Sequence, residues 1–221
     1  MTNFKIILAS SSPRRQKILA KLGVDFTSIS PDIDESVMGS ETPSEYVQRL
    51  AIAKAQAVVD TVTETYKQNT IVIGGDVTVD FENQSIGKAE TVAEAQAILA
   101  RLSGNKHFIR DGYAVFLNGA LFNSGVSSAE ITFKSLSENE IVEYTAGLEW
   151  QGKAGAYAFQ EKGGQMVATA LGSYFDIVGL PVFHVAQALM ALGVEIESTT
   201  ISQIWIEDKA LMAKALGQIY V

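Results

Sequence analysis

Four groups of residues in the chain combine types and spacing that could do chemistry. The first is Ser10-Ser11-Ser12-Pro13-Arg14-Arg15. Ser12 reads as an N-cap and Pro13 as a first helical residue, so the segment opens a helix. Two arginines in a first turn oppose the helix dipole. The arrangement makes sense if free amides, serine hydroxyls and guanidinium groups together hold an anion; the alternative is an ordinary cap with two solvated arginines. The second is Lys54, which falls near the middle of the apolar stripe Val47, Leu50, Ala51 and Val58. A lysine there either snorkels or faces a cavity with a negative partner. Arg49 lies off that stripe, as a solvated or ion-paired residue would.

The third group is Ile71-Val72-Ile73-Gly74-Gly75-Asp76, a carboxylate just past an apolar strand, where α/β proteins place ligand sites. Asp76 could bind a divalent cation or activate a water, or it could be a plain turn aspartate. Gly87-Lys88 ends the hairpin that follows, and its lysine could return to the same edge. It is not a P-loop, because the first glycine and the hydroxyl residue after the lysine are missing. The fourth is Asp32, Asp34 and Glu35 in one loop, a solvated turn or a set of magnesium ligands beside a phosphate site. Lys153, Gly155, Tyr157 and Gln160 form a small-residue stretch with a cation and an amide. Gly172-Ser173-Tyr174 and Gly179-Leu180-Pro181 read as close-packed turns. His107 and His184 read as structural.

Composition removes several rival chemistries. With no cysteine in 221 residues there is no disulfide, thiolate nucleophile or zinc finger, and two histidines cannot build a multi-histidine metal site. A net charge of −8 argues against a broad nucleic-acid or anionic-membrane surface, so any phosphate site must be a local cluster of cations. No apolar stretch reaches membrane-spanning length, and Ile6–Ala9 is too short for a signal-peptide core, so a cytoplasmic protein is expected.

The elements that must position these residues alternate early and turn antiparallel later. Strands are expected at Phe4–Ala9, Phe26–Ser30, Thr70–Ile73, Val77–Phe81, Tyr113–Leu117, Ala120–Asn123, Val126–Phe133 and Met166–Ala170. Asn118-Gly119 marks a two-residue hairpin. Helices follow Pro13 up to Gly23, start at the capping box Thr42-Pro43-Ser44-Glu45 for about 17 residues, and run from Thr91 to Leu102. Others are expected from Ser137 to Tyr144, over Val182–Leu192, and from about Gln203 to Leu216. The pattern predicts an α/β fold with one mixed, twisted sheet flanked by helices around a central cleft.

Seven runs occur here in one order: LASSSPRRQKIL, RLAIAKA, GGD, IGKAET, LSG, KAGAYAFQ and GSYFDIVGLP. Together they resemble the Maf family of nucleoside triphosphate pyrophosphatases over roughly residues 4–193. The resemblance implies a fold similar to that of the inosine triphosphate pyrophosphatases and a domain over 1–197; residues 198–221 extend past the resemblance and read as a helical extension packed on the same domain or used for dimer contacts. It further implies hydrolysis of a nucleoside triphosphate between the α- and β-phosphates with a divalent metal, magnesium or manganese. Asp76 corresponds to the proposed proton acceptor, with Lys54 and Lys88 beside it in the catalytic set. Ser10, Ser12, Arg14 and Arg15 fall at phosphate- and substrate-binding positions, and Glu35 joins Asp76 as a metal or water ligand. The expected substrates are dTTP, UTP or modified nucleotides, in a house-cleaning role. A non-catalytic nucleotide-binding regulator of septum formation is the alternative.

Two positions depart from the family pattern. The common Ala-Asp-Thr appears as Gly75-Asp76-Val77, so Val77 breaks the trio that, with Arg14 and Gln160, marks base selection for dTTP and UTP. The aspartate often found before Lys153 is Gly152.

Overall fold

The apolar run after Phe4 forms β1 (Lys5–Ala9), whose last four residues are buried. The structure is a computed structural model and describes residues 4–62 and 68–218. Ser12 accepts a hydrogen bond from the Arg15 amide and so caps α1 (Pro13–Ala20). β2 (Phe26–Ile29) lies parallel to β1. A loop then leads to α2 (Pro43–Thr61), where Thr42 and Glu45 close a reciprocal capping box. The chain continues through β3 (Thr70–Phe81), β4 (Gln84–Ile86), α3 (Val92–Leu102), β5 (Lys106–Leu117), β6 (Ala120–Phe133) and α4 (Glu138–Thr145). A 3-10 turn, Lys162–Met166, precedes β7 (Val167–Leu171), and α5 (Tyr174–Val178), α6 (Val182–Ala191) and α7 (Ser198–Ala215) complete the described chain.

The strands make one mixed sheet in the order β2-β1-β3-β5-β6-β7, with β4 also on β3. β1 is parallel to β2 and β3, and the remaining pairs are antiparallel. Helices cover both faces. Ala51, Ala55 and Val58 of α2 pack on Ile7, Val72, Ala114 and Phe116. On the other face Leu19, Phe175, Val185 and Ile204, from α1, α5, α6 and α7, meet Leu8, Ile71, Ile73 and Val115. Among the described residues no helix is long and apolar enough to cross a membrane.

Several elements differ from the sequence expectation. Asp76 lies inside a strand: Thr70–Ile73 and Val77–Phe81 are one element, β3. The reason is β5, which pairs with β3 without interruption from Ile71↔Leu117 to Asp80↔Phe108 and carries the chain straight through Gly74-Gly75. β5 starts at Lys106 instead of Tyr113, and Ala120–Asn123 and Val126–Phe133 merge into β6, with a register shift at Val115/Phe116. The two turns expected around Ser173 and Leu180 flank a short helix, α5, that hydrophobic spacing could not reveal in five residues.

Two consequences of this sheet create the cleft. β1 pairs with β3 only as far as Ala9↔Gly74, and β4 begins at Val79↔Ile86. Between them the edge of β3 from Gly75 to Thr78 has no neighbouring strand among the described residues. Second, α2 lies unusually close to the sheet. A Cβ on Gly74 would come within 2.1 Å of the Ala51 carbonyl oxygen, and one on Gly112 within 2.3 Å of the Val47 carbonyl oxygen. Glycine at both places lets the helix approach and carry Lys54 to that edge.

Candidate active site

The open edge of β3 forms a wall of a cavity of about 530 Å³. Ser10, Ser12, Arg14 and Arg15 enter it from the β1–α1 turn, Glu35 from the loop before α2, Lys54 from α2, Asp76 and Val77 from β3, and Lys88 from the segment after β4. Residues from five parts of the chain thus converge on one space. Gln160 stands apart, in a smaller adjoining pocket that it shares with Arg14, Val77 and Lys153.

Lys54 is the centre of the cluster. Its Nζ lies 2.6 Å from Asp76 Oδ1 and 2.8 Å from Glu35 Oε1. The position on the apolar stripe is therefore resolved in favour of a cavity with negative partners, and Lys54 is only 6% exposed. Arg15 approaches the same carboxylate oxygen at 4.0 Å. Its Nε donates to the Gly179 carbonyl at 2.8 Å, which ties α1 to the turn after α5. Burial tends to raise the Glu35 carboxyl, but the hydrogen bond and charge of Lys54, backed by Lys88 and Arg15, outweigh it and hold the pKa below the ordinary value.

The loop that carries Glu35 is fastened by α2. The Tyr46 hydroxyl donates to the Glu35 carbonyl at 2.9 Å. Arg49 pairs with Glu41 at 2.6 Å and donates to the Ser36 carbonyl, so it is an ion-paired residue that holds the loop. Of the three loop carboxylates only Glu35 reaches the cavity. Asp34 instead accepts from the Ser36 amide in a local turn, and Asp32 is exposed. Lys88 is held by an isolated bridge to Ala154, and Gly155 N–H donates to the Gly87 carbonyl.

The β1–α1 segment leaves Arg14 without a counterion among the described residues. No carboxylate there lies within ion-pair distance of it, and burial together with the neighbouring Arg15 charge lowers its pKa. Such a guanidinium is strained electrostatically until an anion arrives. The Ser10 hydroxyl accepts from the Ser12 amide, and the Ser12 hydroxyl is committed to the cap, so Ser12 acts on the cavity through α1 more than through its own oxygen.

His107 and His184 stay away from this space. His107 is buried with Nε2 2.8 Å from the Tyr157 hydroxyl, and burial pushes its pKa down to about 4, which keeps the ring neutral. His184 lies against the Tyr113 ring. Gly152 lines the cavity with a positive φ and open space where a Cβ would stand. Several cavity residues escaped the sequence reading, Tyr46 and Thr78 among them. Tyr46 gave no signal beyond its place in the first turns of α2. Thr78 was hidden by the division of β3 into two pieces, since strand alternation from Asp76 would have found it.

Fold and site define an α/β protein with a cation-lined cleft for a polyanion and a buried carboxylate–ammonium pair at its wall. Residues 5–192 match the family described as Maf-like protein, and the chain belongs to that family. A dTTP/UTP pyrophosphatase of Colwellia psychrerythraea is 41% identical over 192 residues, covering 87% of this chain and 90% of the relative. One from Pseudoalteromonas translucida is 42% identical over 189 residues, covering 86% and 97%. A solved HAM1 protein from Coxiella burnetii overlaps 91% of this chain and 100% of its own at 20% identity, with a TM-score of 0.40.

Proposed function

We propose that the protein hydrolyses a pyrimidine nucleoside triphosphate, dTTP, UTP or a modified form, to the monophosphate and pyrophosphate. The carrying observation is the Lys54 ammonium gathering Asp76 and Glu35 on the wall of a cavity that also receives Arg14, Arg15 and Lys88. Water oxygen attacks the α-phosphorus, its proton passes to the Asp76 carboxylate, and the bond from the α-phosphorus to the α–β bridging oxygen breaks. The leaving pyrophosphate takes up negative charge, which Lys88 and the two arginines are placed to stabilise. The names of the relatives support the substrate.

Asp76 and Glu35 are hard oxygen donors facing one another across a single ammonium, which fits a magnesium or manganese ion completed by phosphate oxygens and water. Among the described residues no third His, Cys, Asp or Glu joins them, and such ions commonly use only one or two carboxylates. When bound, the ion would supply charge neutralisation on the phosphates and a more acidic water. Arg14, Val77 and Gln160 line one pocket, as a base-reading subsite would. A house-cleaning role in the cytoplasm follows from this substrate.

Pyrophosphate release from dTTP, UTP, CTP, GTP, ITP and 5-methyl-UTP, with magnesium or manganese, tests the reading against Asp76→Asn. Release by the wild type and its loss in the variant is the expected result. Orthophosphate would mean another bond is cut. Binding without turnover on every member would favour the nucleotide-binding regulator.

A further inference from the structure

Thr78 sits on the unpaired stretch of the β3 edge, two residues beyond Asp76. In a strand, residues two apart share a face and adjacent ones oppose each other. Thr78 therefore shares the face of Asp76, while Val77 points to the opposite face and packs beside Gly179. Beyond Thr78, Val79 pairs with Ile86, and the chain from Ile86 runs directly into Gly87 and Lys88. That places Thr78 between the carboxylate and Lys88 along one wall of the cavity.

The residue is 3% exposed, yet its hydroxyl has no hydrogen-bond partner among the described residues. It is also absent from the sealed polar atoms of the core, which include both Asp111 oxygens, so its oxygen reaches the cavity surface. A hydroxyl so placed without a partner is poised for a ligand. Any ligand spanning Asp76 and Lys88 passes over it, and a ligand held by Lys88 and the arginines is anionic there.

We infer that the Thr78 hydroxyl donates a hydrogen bond to the phosphate chain of the substrate, independently of the base. The inference rests on the reading of the cavity as a nucleoside triphosphate site. It separates two neighbouring positions by face: both residues line the larger cavity and the adjoining pocket, but Val77 packs beside Gly179 while Thr78 shares the face of Asp76.

Thr78→Val removes the hydroxyl and keeps the shape, and Thr78→Ser keeps the hydroxyl. For Thr78→Val, kcat/KM should fall about tenfold, by the same factor for dTTP, UTP and CTP, as expected for one hydrogen bond to a charged group. Thr78→Ser should restore most of it. By calorimetry with magnesium, inorganic tripolyphosphate should bind Thr78→Val several-fold more weakly than wild type, with thermal stability unchanged. Wild-type kinetics and tripolyphosphate affinity in Thr78→Val would overturn the inference, as would a loss that differs strongly between bases. If the wild type turns over no nucleotide, the proposed function falls, and the tripolyphosphate titration still decides Thr78. No tripolyphosphate binding by the wild type would sink both.

Discussion

Asp76 and Asp111 stand on neighbouring strands one register step apart, since Asp76 pairs with Gly112 and Asp111 with Val77. They face opposite sides of the sheet. Both are buried, at 7% and 0% exposed. Asp76 receives the Lys54 ammonium, whereas both oxygens of Asp111 lack a hydrogen-bond partner among the described residues, and burial raises its pKa well above the ordinary carboxylate value. The Arg15 charge pulls Asp111 the other way without prevailing, and Asp176 and Asp76 add to the rise. Residue type and depth are nearly the same, so the difference comes from what each face receives. α2 delivers a lysine to one side through the close approach at Gly74 and Gly112. α5 delivers Asp176, another acid, to the other, where its carboxylate accepts from Ser127 and burial raises its pKa to about 6. One carboxylate is thus held beside a cation, while the other lies in the core with burial pushing its pKa upward.

The sharpest way to break this contrast is to neutralise each acid in turn. Asp76→Asn should lower turnover by about a thousandfold, the scale of a lost general base, while Asp111→Asn should leave kcat and KM unchanged. Steady-state assays of the two variants decide it. Next, Lys54→Met leaves two carboxylates gathered without their cation. A loss of about 3 kcal/mol in urea unfolding is expected, together with loss of activity; an unchanged midpoint would show that the pair does not stabilise the fold.

The opposite face predicts a pH effect with a definite sign. Between the ordinary carboxylate value and about 6, native Asp176 holds a proton that the unfolded chain has released. Stability therefore falls as pH rises through that interval, and Asp111 extends the fall upward. Asp176→Asn should flatten the slope and raise stability above pH 6 by about 2 kcal/mol. A melting-temperature series across pH 4–8 reads both (roughly the window in which these acids titrate). Smaller effects close the series. Glu35→Gln should cost less than about 1 kcal/mol, because Glu35 is half exposed, and should instead raise the magnesium concentration needed for half-maximal activity. Val77→Thr should shift the ratio of dTTP and UTP to other bases by several-fold, if the hydroxyl reads the base.

Most of the polar machinery was legible along the chain. The Ser–Pro–Arg–Arg helix start, the lysine on an apolar stripe and the carboxylate after Gly-Gly are local patterns, and each keeps its place in the cavity. Cap signals placed α1, α2, α3 and α4 with small errors because they depend on neighbours a few residues away. β3 was misread as two pieces because glycines normally mark an end, and here they mark the passage of a helix over a continuous strand. Gln160 could be paired with Arg14 and Val77 only through the family pattern, since no spacing rule joins residues so distant.

Local order along the backbone, which residues cap, alternate or line a helix face, follows from short-range sterics and hydrogen bonding and can be read from the chain. Which acid meets a cation cannot, because it depends on contacts between elements far apart in sequence. Asp76 and Asp111 have opposite surroundings because strand alternation sends them to different faces and because two glycines let α2 descend on one of them. What surrounds each, and with it the division between a paired carboxylate and an unpaired one, belongs to that packing.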